Sequence, residues 1–252
     1  MTSVALSFVI PAYNEEGSIE AALGRLDKLV RGKELPYEII VVNDGSQDKT
    51  LQRAITYASR NGHVKVVSNA SNEGKGYAIK KGFMQTNGEV VVFTDSDMDI
   101  DLNLVSSYVE ALQQGDIVIA SKWHPKSVVK MAIMRRIFSH SFNILVRLMT
   151  GVKLRDTQAG LKAIRKSAFI DVFPRLAVKR YAFDVELLTV ANLNGLRVVE
   201  MPVNLEMQGL FSFREIWKMF LDLLGITYRL RITRWYQRPI DCNGSLNGIQ
   251  SY

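Results

Sequence analysis

The sequence predicts an α/β protein built on a doubly wound sheet. Through residue 120, short apolar runs typical of buried parallel strands alternate with segments of helical periodicity. Each apolar run ends in a polar loop, which is the pattern expected when parallel strands are joined by crossover helices. The chain has 252 residues, of which 47% are hydrophobic, so it can bury a sizeable core. We therefore expect one large domain or two small ones.

The first half of the chain supplies most of the predicted sheet. The first strand, from Ala5, stops before Pro11, and Ile19, Leu23 and Leu26 then form the apolar stripe of a helix. Predicted strands cover 5–10, 37–42, 64–67, 90–93 and 116–120, and predicted helices cover 18–30, 50–61, 102–113 and a segment ending near 86. A further strand is predicted at 161–164, a helix at 183–193 and a strand at 196–199.

Two later stretches differ in composition from the rest. Residues 123–154 and 209–236 are rich in large apolar side chains interrupted by Lys and Arg, which is typical of amphipathic helices lying in a membrane interface. The alternative is that these helices pack against the domain or a second subunit, so a homo-oligomer stays open. We expect a catalytic or binding domain at 1–208 and a disordered polar tail at 237–252.

The charge pattern narrows the class of partner. A net charge of +7 favours an anionic partner, but the basic residues lie among aliphatic ones, which disfavours nucleic acid. The sequence contains neither a recognisable signal peptide nor the ~18 uncharged apolar residues that span a bilayer. We therefore expect a peripheral protein on the cytoplasmic face of a membrane. The single Cys242 excludes an intramolecular disulfide.

Three carboxylates at alternate positions follow the strand at 90–93. These are Asp95, Asp97 and Asp99, with Ser96 between the first two, and no Lys or Arg is adjacent in the sequence. Oxygen ligands at the carboxyl end of a strand suit a hard cation such as Mg²⁺ or Mn²⁺. The segment is therefore interpreted as a site for a metal and a diphosphate. The alternative is a polar turn in which Asp is simply a turn former.

Two other predicted strands end in similar loops, Tyr13-Asn14-Glu15 and Asn43-Asp44-Gly45. Because parallel strands end at one edge of a sheet, the three loops should line one crevice that can accept a nucleoside diphosphate. Gly74 and Gly76 would let the backbone approach that ligand, with Lys75 as a charge partner. The turn lacks the third glycine of a dinucleotide fingerprint, and no Walker loop is present.

The motifs resemble those of one enzyme family in their order along the chain. They are Val9-Ile10-Pro11-Ala12-Tyr13-Asn14-Glu15, Val42-Asn43-Asp44-Gly45-Ser46-Gln47-Asp48-Lys49-Thr50, Asn72-Glu73-Gly74-Lys75-Gly76 and Thr94-Asp95-Ser96-Asp97. This order is similar to that of family 2 inverting glycosyltransferases of the GT-A fold. Asp156-Thr157-Gln158-Ala159-Gly160-Leu161-Lys162 further resembles the dolichyl-phosphate or polyprenyl-phosphate sugar synthases, especially the glucose type. The resemblance implies a mixed, mostly parallel sheet, a nucleotide-sugar donor, a divalent metal and a polyprenyl or dolichyl phosphate acceptor.

The resemblance also implies roles on the donor side. Pro11, Tyr13 and Glu15 would wall the base, Asp44 would contact uracil or ribose, and Lys75 and Ser96 would complete the nucleotide-sugar site. Asp95 would contact ribose or a metal-bound water, and Asp97 would bind the metal. Asp99 stands where mannose-type relatives carry Gln and could be a third metal ligand. The expected donor is UDP-glucose, with GDP-mannose as the alternative.

On the acceptor side, the resemblance points to three residues. Arg135 and Ser139 match a pair that meets phosphate groups, and Asp156 matches an acidic residue beside the acceptor. The alternatives are that Arg135 is one charge of a basic helix and that Asp156 caps a helix or a turn. Two other classes of protein are alternatives to a glycosyltransferase. One is a haloacid-dehalogenase-like phosphatase, which also places Asp-x-Asp after a strand, and the other is a non-catalytic nucleotide-sugar-binding module.

Overall fold

A computed structural model describes residues 5–31, 35–96, 103–158, 160–206 and 213–238 of the chain. The strands are β1 Leu6–Ala12, β2 Tyr37–Asn43, β3 Val64–Ser68, β4 Val90–Phe93, β5 Ile117–Ala120, β6 Val128–Lys130, β7 Lys162–Arg165, β8 Val198–Met201 and β9 Asn204–Glu206. The helices are α1 Ile19–Arg31, α2 Thr50–Ala58, α3 Lys75–Met84, α4 Leu104–Ala111, α5 Ile133–Thr150, α6 Lys166–Phe169, α7 Phe183–Leu193 and α8 Phe213–Arg231. Short 3-10 helices occupy Phe173–Arg175 and Trp235–Gln237.

Seven strands form one sheet in the order β3-β2-β1-β4-β7-β5-β8. All neighbours pair in parallel except β7, which runs antiparallel to both β4 and β5. β6 and β9 pair in a separate two-stranded sheet. The prediction of a mixed, mostly parallel sheet flanked by helices is confirmed.

The central sheet is buried on both faces. Alternate residues of β1 point to opposite sides, so Phe8 and Ile10 pack with α1 and α4, while Val9 packs with α3 and α7. All three side chains are fully buried. Burial of such a side chain contributes about 1.5–3 kcal/mol, so these two apolar layers hold the sheet in place.

The first strand extends beyond its predicted end at Ile10. β1 pairs with β2 as far as Ala12 and Asn43, but its pairing with β4 ends at Val9 and Phe93. Pro11 therefore lies where the ladder on the β4 side has already stopped, and its missing N–H interrupts no bond there. As a result, the loops after β1, β2 and β4 begin close together at one edge of the sheet.

The two apolar, basic stretches form α5 and α8, which contact each other. α8 buries Met219, Leu223 and Ile226 against the domain, so one of its faces belongs to the core. Both helices also leave large apolar side chains exposed, namely Ile133, Met134, Ile137, Phe138, Ile144, Leu148, Trp217, Leu221, Leu224 and Tyr228. None of the described helices is long and apolar enough to cross a membrane. Gln237 belongs to a 3-10 helix, and the rest of the predicted tail, 239–252, lies outside the described residues.

Candidate active site

A crevice of about 580 Å³ opens where the loops after β1, β2 and β4 meet. Every sequence-predicted nucleotide-sugar residue lines it: Pro11, Tyr13, Glu15, Asp44, Lys75, Asp95 and Ser96. Arg135 and Ser139, predicted for the acceptor, line it as well. The structure thus brings the motifs of both substrates into one cavity, as the sequence predicted for the three loops.

The loops after β1 and β2 are tied to each other. The Asn14 side chain accepts a hydrogen bond from the N–H of Gln47 at 2.9 Å, and the Asn14 N–H donates to the Ser46 hydroxyl at 3.0 Å. The Glu15 N–H donates to the Thr50 hydroxyl at 2.7 Å. Asn14 has a φ of 55°, a conformation that asparagine tolerates better than most residues. The wall bearing Tyr13 and Glu15 is therefore fixed before any ligand binds.

Asp44 holds the glycine-rich turn in place by accepting hydrogen bonds from its backbone. Its buried carboxylate accepts hydrogen bonds from the Asn69 side chain at 2.7 Å and from the N–H groups of Glu73 at 3.0 Å and Gly74 at 2.7 Å. A carboxylate has about four lone-pair sites, so one acceptor position remains for a ligand in the crevice.

The two glycines allow close packing of the turn, and Gly74 also lines the crevice. A side chain at Gly74 would overlap the carbonyl oxygen of Lys179, and a Cβ at Gly76 would lie 2.5 Å from the Cβ of Phe183. Gly74 also has a φ of 110°, which L side chains rarely adopt. The glycines therefore allow the turn to pack against the segment leading into α7, and the expected approach of their backbone to the nucleotide stays a prediction.

Lys75 and Asp95 form an ion pair across the crevice, with 2.5 Å between Nζ and Oδ1. No Lys or Arg is adjacent to Asp95 in the sequence, and its cation comes from α3, which is distant along the chain. Burial opposes ionisation of Asp95, but the charge and hydrogen bond of Lys75, with the charge of Lys162, outweigh it and lower the pKa of this carboxyl. Asp95 is therefore ionised at neutral pH.

The other two predicted metal ligands, Asp97 and Asp99, lie outside the described residues. Within the part of the chain that the structure covers, no three His, Cys, Asp or Glu side chains come together as a metal-binding group. The described part of the proposed ligand set is Asp95, whose carboxylate oxygens have the donor chemistry that Mg²⁺ and Mn²⁺ prefer. Its position on the crevice wall fits a cation bound next to a diphosphate.

Arg135 and Ser139 lie one turn apart on α5 and face the crevice. The next residue, Arg136, is exposed and its guanidinium lies 5.8 Å from the centre of the Trp123 ring. The basic residues of α5 thus point in different directions, and Arg135 is the one that faces the cavity.

Asp156 lies behind the crevice wall. Its carboxylate binds Lys122 Nζ at 2.9 Å, and it accepts the N–H groups of Lys122 and Gln158. The bond from the N–H of Gln158, two residues on, is that of a turn-forming aspartate, and the role of Asp156 beside the acceptor stays a prediction. Burial opposes its ionisation, but Lys122 and the two N–H groups lower its pKa. Lys122, which sequence analysis missed, lines the crevice and Asp156 does not.

Sequence analysis also missed a second buried ion pair. Lys162 of β7 and Asp184 of α7 approach to 3.0 Å, and Asp184 lines the crevice. A lysine in the middle of the apolar run Leu161–Ile164 was a usable signal, because lysine is rarely fully buried unless paired. Arg180, Lys218 and Met219 also line the crevice, and the sequence analysis did not identify them.

The mixed sheet, with a crevice at the ends of its parallel strands, has the GT-A type of fold. The crystal structure of glucosyl-3-phosphoglycerate synthase from Mycobacterium tuberculosis with Mn²⁺, UDP and glucosyl-3-phosphoglycerate superposes with a TM-score of 0.66 and 21% sequence identity, covering 89% of this chain and 78% of that one. Residues 7–173 match the model of Glycosyl transferase family 2. The chain belongs to this family and is a glycosyltransferase.

Sequence relatives support the same assignment. The dolichyl-phosphate beta-glucosyltransferase of Homo sapiens is 34% identical over 249 residues, 91% of this chain and 77% of the relative. The enzyme of the same name from Dictyostelium discoideum is 29% identical, over 92% of this chain and 77% of the relative. The predicted resemblance is confirmed, and the phosphatase and non-catalytic alternatives are wrong.

Proposed function

We propose that the protein transfers glucose from UDP-glucose to the phosphate of a polyprenyl or dolichyl phosphate, with inversion at the anomeric carbon and with Mg²⁺ or Mn²⁺. The observation that supports the proposal is the crevice, which the predicted donor motifs at the strand ends line together with Arg135 and Ser139 of α5. The names of the human and Dictyostelium relatives support the choice of sugar and acceptor. Incubation with labelled nucleotide sugars and a short polyprenyl phosphate tests it.

The donor half of the site would hold the nucleotide at the loops after β1 and β2. Asp44 has an acceptor position left for the base or ribose, and Tyr13 and Glu15 form the adjoining wall. Asp97 and Asp95 would hold the cation, which when bound stabilises the departing diphosphate as a Lewis acid. Lys75 adds positive charge on the same side.

The acceptor needs little activation. A phosphate monoester has a second pKa of about 6, so it is largely ionised at neutral pH and can attack without giving up a proton. One phosphate oxygen forms a bond to the anomeric carbon while the bond from that carbon to the UDP oxygen breaks, and the electron pair leaves with UDP. Arg135 and Ser139 would position the attacking phosphate. Attack opposite the leaving group inverts the anomeric centre.

Donor choice gives a direct prediction. UDP with Mn²⁺ is expected to bind more tightly than GDP with Mn²⁺, because the motif at Asp156–Lys162 is of the glucose type and the named relatives are glucosyltransferases. Isothermal titration with each nucleotide measures the difference. Tighter binding of GDP would reverse the assignment in favour of GDP-mannose.

The exposed apolar side chains of α5 and α8 support a second part of the proposal, attachment to a membrane surface. Ile133 and Leu148 at the two ends of α5 are 77% and 71% exposed, and Trp217 on α8 is 60% exposed. Contiguous exposed apolar surface flanked by arginines is typical of segments that lie in the plane of an anionic interface. A lipid phosphate acceptor would be presented at such an interface.

Flotation with anionic liposomes tests this attachment. Leu148→Gln combined with Leu221→Gln is expected to reduce the floated fraction strongly, because it removes two exposed apolar contacts while the core faces of both helices are kept. Flotation of the wild type should weaken as salt rises, since charges are screened beyond about 8 Å at physiological ionic strength.

The control for flotation is Ile55→Gln on α2, which removes an exposed apolar side chain elsewhere, with an exposure of 52% against 49% for Leu221. Equal flotation of control and double variant, or a wild type that never floats, would contradict membrane attachment by α5 and α8. A thermal melt of each variant separates loss of binding from loss of fold. Deletion of α8 is unsuitable, because its residues Leu223 and Ile226 are part of the core.

A further inference from the structure

We propose that Arg180 and Lys218 form an anion site that receives the phosphate of the lipid acceptor. Both side chains line the crevice, and neither belongs to the motifs that suggested the donor and acceptor residues. The inference rests on the proposed function and adds two phosphate-binding cations to it.

The charges of the crevice single out these two residues. Five cationic side chains line it: Lys75, Lys122, Arg135, Arg180 and Lys218. Lys75 is bound to Asp95 and Lys122 to Asp156, so carboxylates of the protein already compensate them. Among the described residues, neither the Arg180 guanidinium nor the Lys218 ammonium makes a hydrogen bond or an ion pair. A phosphate can therefore bind both without displacing a protein partner.

Arg180 belongs to a segment whose backbone is held at several points. The buried carboxylate of Glu186 accepts the N–H groups of Ala177 at 2.8 Å and Val178 at 2.7 Å, and Lys80 donates to the Leu176 carbonyl at 2.9 Å. The Lys179 carbonyl accepts the N–H of Tyr77 at 3.1 Å. A cation on a fixed backbone loses less conformational freedom on binding, which favours its use as a binding residue.

The same network ties this segment to α8, the helix that carries Lys218. Glu186 also accepts hydrogen bonds from the Tyr236 hydroxyl at 2.5 Å and from Arg229 at 3.2 Å. Asp222, one turn beyond Lys218, interacts electrostatically with Arg180 without an ion pair between them in the described structure. The two cations are thus carried by elements that are held together as one wall.

This wall adjoins the apolar part of the crevice. Met131, Leu205 and Met219 also line it, and Met219 follows Lys218 directly on α8. A hydrocarbon chain along these side chains would bring its phosphate to Lys218. Arg180 lies beside the glycine-rich turn, since its Cγ would be 3.0 Å from a Cβ at Gly74, so a phosphate bound by both cations would lie next to the donor motifs. The mixture of apolar lining and free positive charge fits a lipid phosphate better than a second nucleotide group.

Steady-state kinetics of Arg180→Gln, Lys218→Gln and the double variant test the site. With saturating UDP-glucose and Mn²⁺, and farnesyl phosphate as the varied acceptor, each single variant is expected to raise KM for the acceptor about tenfold, the size of one lost charge-assisted hydrogen bond. The Kd of UDP, measured by calorimetry, should stay unchanged.

Two control variants remove the same charge outside the crevice. Lys179→Gln alters the residue next to Arg180. The ammonium of Lys179 lies 2.9 Å from Glu73, and Lys179 does not line the crevice. Arg214→Gln alters an exposed residue one turn before Lys218. Both should keep the wild-type KM for farnesyl phosphate, and thermal melts should be similar for all variants.

The outcomes separate this site from the proposed function. A weaker Kd for UDP with an unchanged acceptor KM would assign both cations to the donor diphosphate and overturn the proposal, as would no change in either constant. A wild type that transfers no sugar to farnesyl phosphate would defeat the proposed function instead. Calorimetric binding of farnesyl phosphate to the UDP-loaded protein then tests the anion site by itself. Loss of binding in the double variant supports the site, and binding equal to that of the wild type refutes it.

Discussion

Replacement of Asp97 by asparagine is expected to remove nearly all glycosyl transfer while the protein stays folded. In the sequence Asp97 follows Asp95 and Ser96, which line the crevice just after β4, while Asp97 itself lies outside the described residues. Asparagine keeps the size of the side chain but loses the charge that a hard cation needs. A metal acting as a Lewis acid lowers a barrier by several kcal/mol, so the rate should fall about a thousandfold.

Initial rates with UDP-glucose and increasing Mn²⁺ measure this loss, and calorimetry shows whether UDP binding still depends on the metal. Asp171→Asn, an exposed carboxylate outside the crevice, is the matched control and should behave as wild type. Full activity of Asp97→Asn, or of the wild type in excess EDTA, would rule out the metal assignment. Asp99→Asn in the same assay shows whether a third carboxylate contributes.

The parallel part of the fold was predictable because its strands carry a strong local signal. β1, β2 and β4 are apolar runs that end in polar loops, and their common direction brings Tyr13, Asp44 and Asp95 to one edge. The direction of β7 was not predictable. The pattern of a four-residue strand is the same in either direction, so only the pairing of β7 with β4 and β5 fixes its direction. β6 and β9 have three residues each and are defined by tertiary contact alone.

The buried ion pairs of the site were not predicted, because they too depend on contacts between distant parts of the chain. In a sequence, Lys122 and Lys162 resemble surface lysines, because their carboxylate partners are far along the chain. The packing of Gly74 was not predictable, since the segment near Lys179 that packs against it gives no sign in the sequence of approaching it. Motif spacing identified the side chains at strand ends, while pairing between distant segments needed the structure.

The Lys122–Asp156 pair gives the second large expected effect, on stability. Both side chains are 4% exposed and their charged atoms are 2.9 Å apart. Asp156→Ala would leave the Lys122 ammonium buried without its partner and deprive the N–H groups of Lys122 and Gln158 of their acceptor. Breaking such a buried pair typically costs about 3–5 kcal/mol. For a chain of this size, Tm should fall by roughly 10 °C.

A double variant separates the stability of the pair from its role in the crevice. Lys122→Met with Asp156→Leu removes both charges, so part of the lost stability should return in chemical denaturation. Glycosyl transfer should not return, because Lys122 lines the crevice and its charge is gone. Recovery of both stability and transfer would show that neither residue of the pair is needed for the reaction.

The pH dependence of unfolding tests whether the charge of Asp156 causes the expected loss of stability. Lys122 and the N–H groups lower the pKa of Asp156 in the folded protein, so its contribution is fully present above the unfolded pKa of about 4 and is lost as pH falls through the folded pKa. The difference in unfolding free energy between wild type and Asp156→Asn should therefore be largest near pH 7. It should shrink below about pH 4, where the wild-type carboxyl becomes protonated in the unfolded chain and then in the folded one. Urea titrations of both proteins across this range measure the difference. A gap that stays constant down to strongly acid pH would mean that packing or hydrogen bonding, and not the charge of Asp156, accounts for its effect on stability.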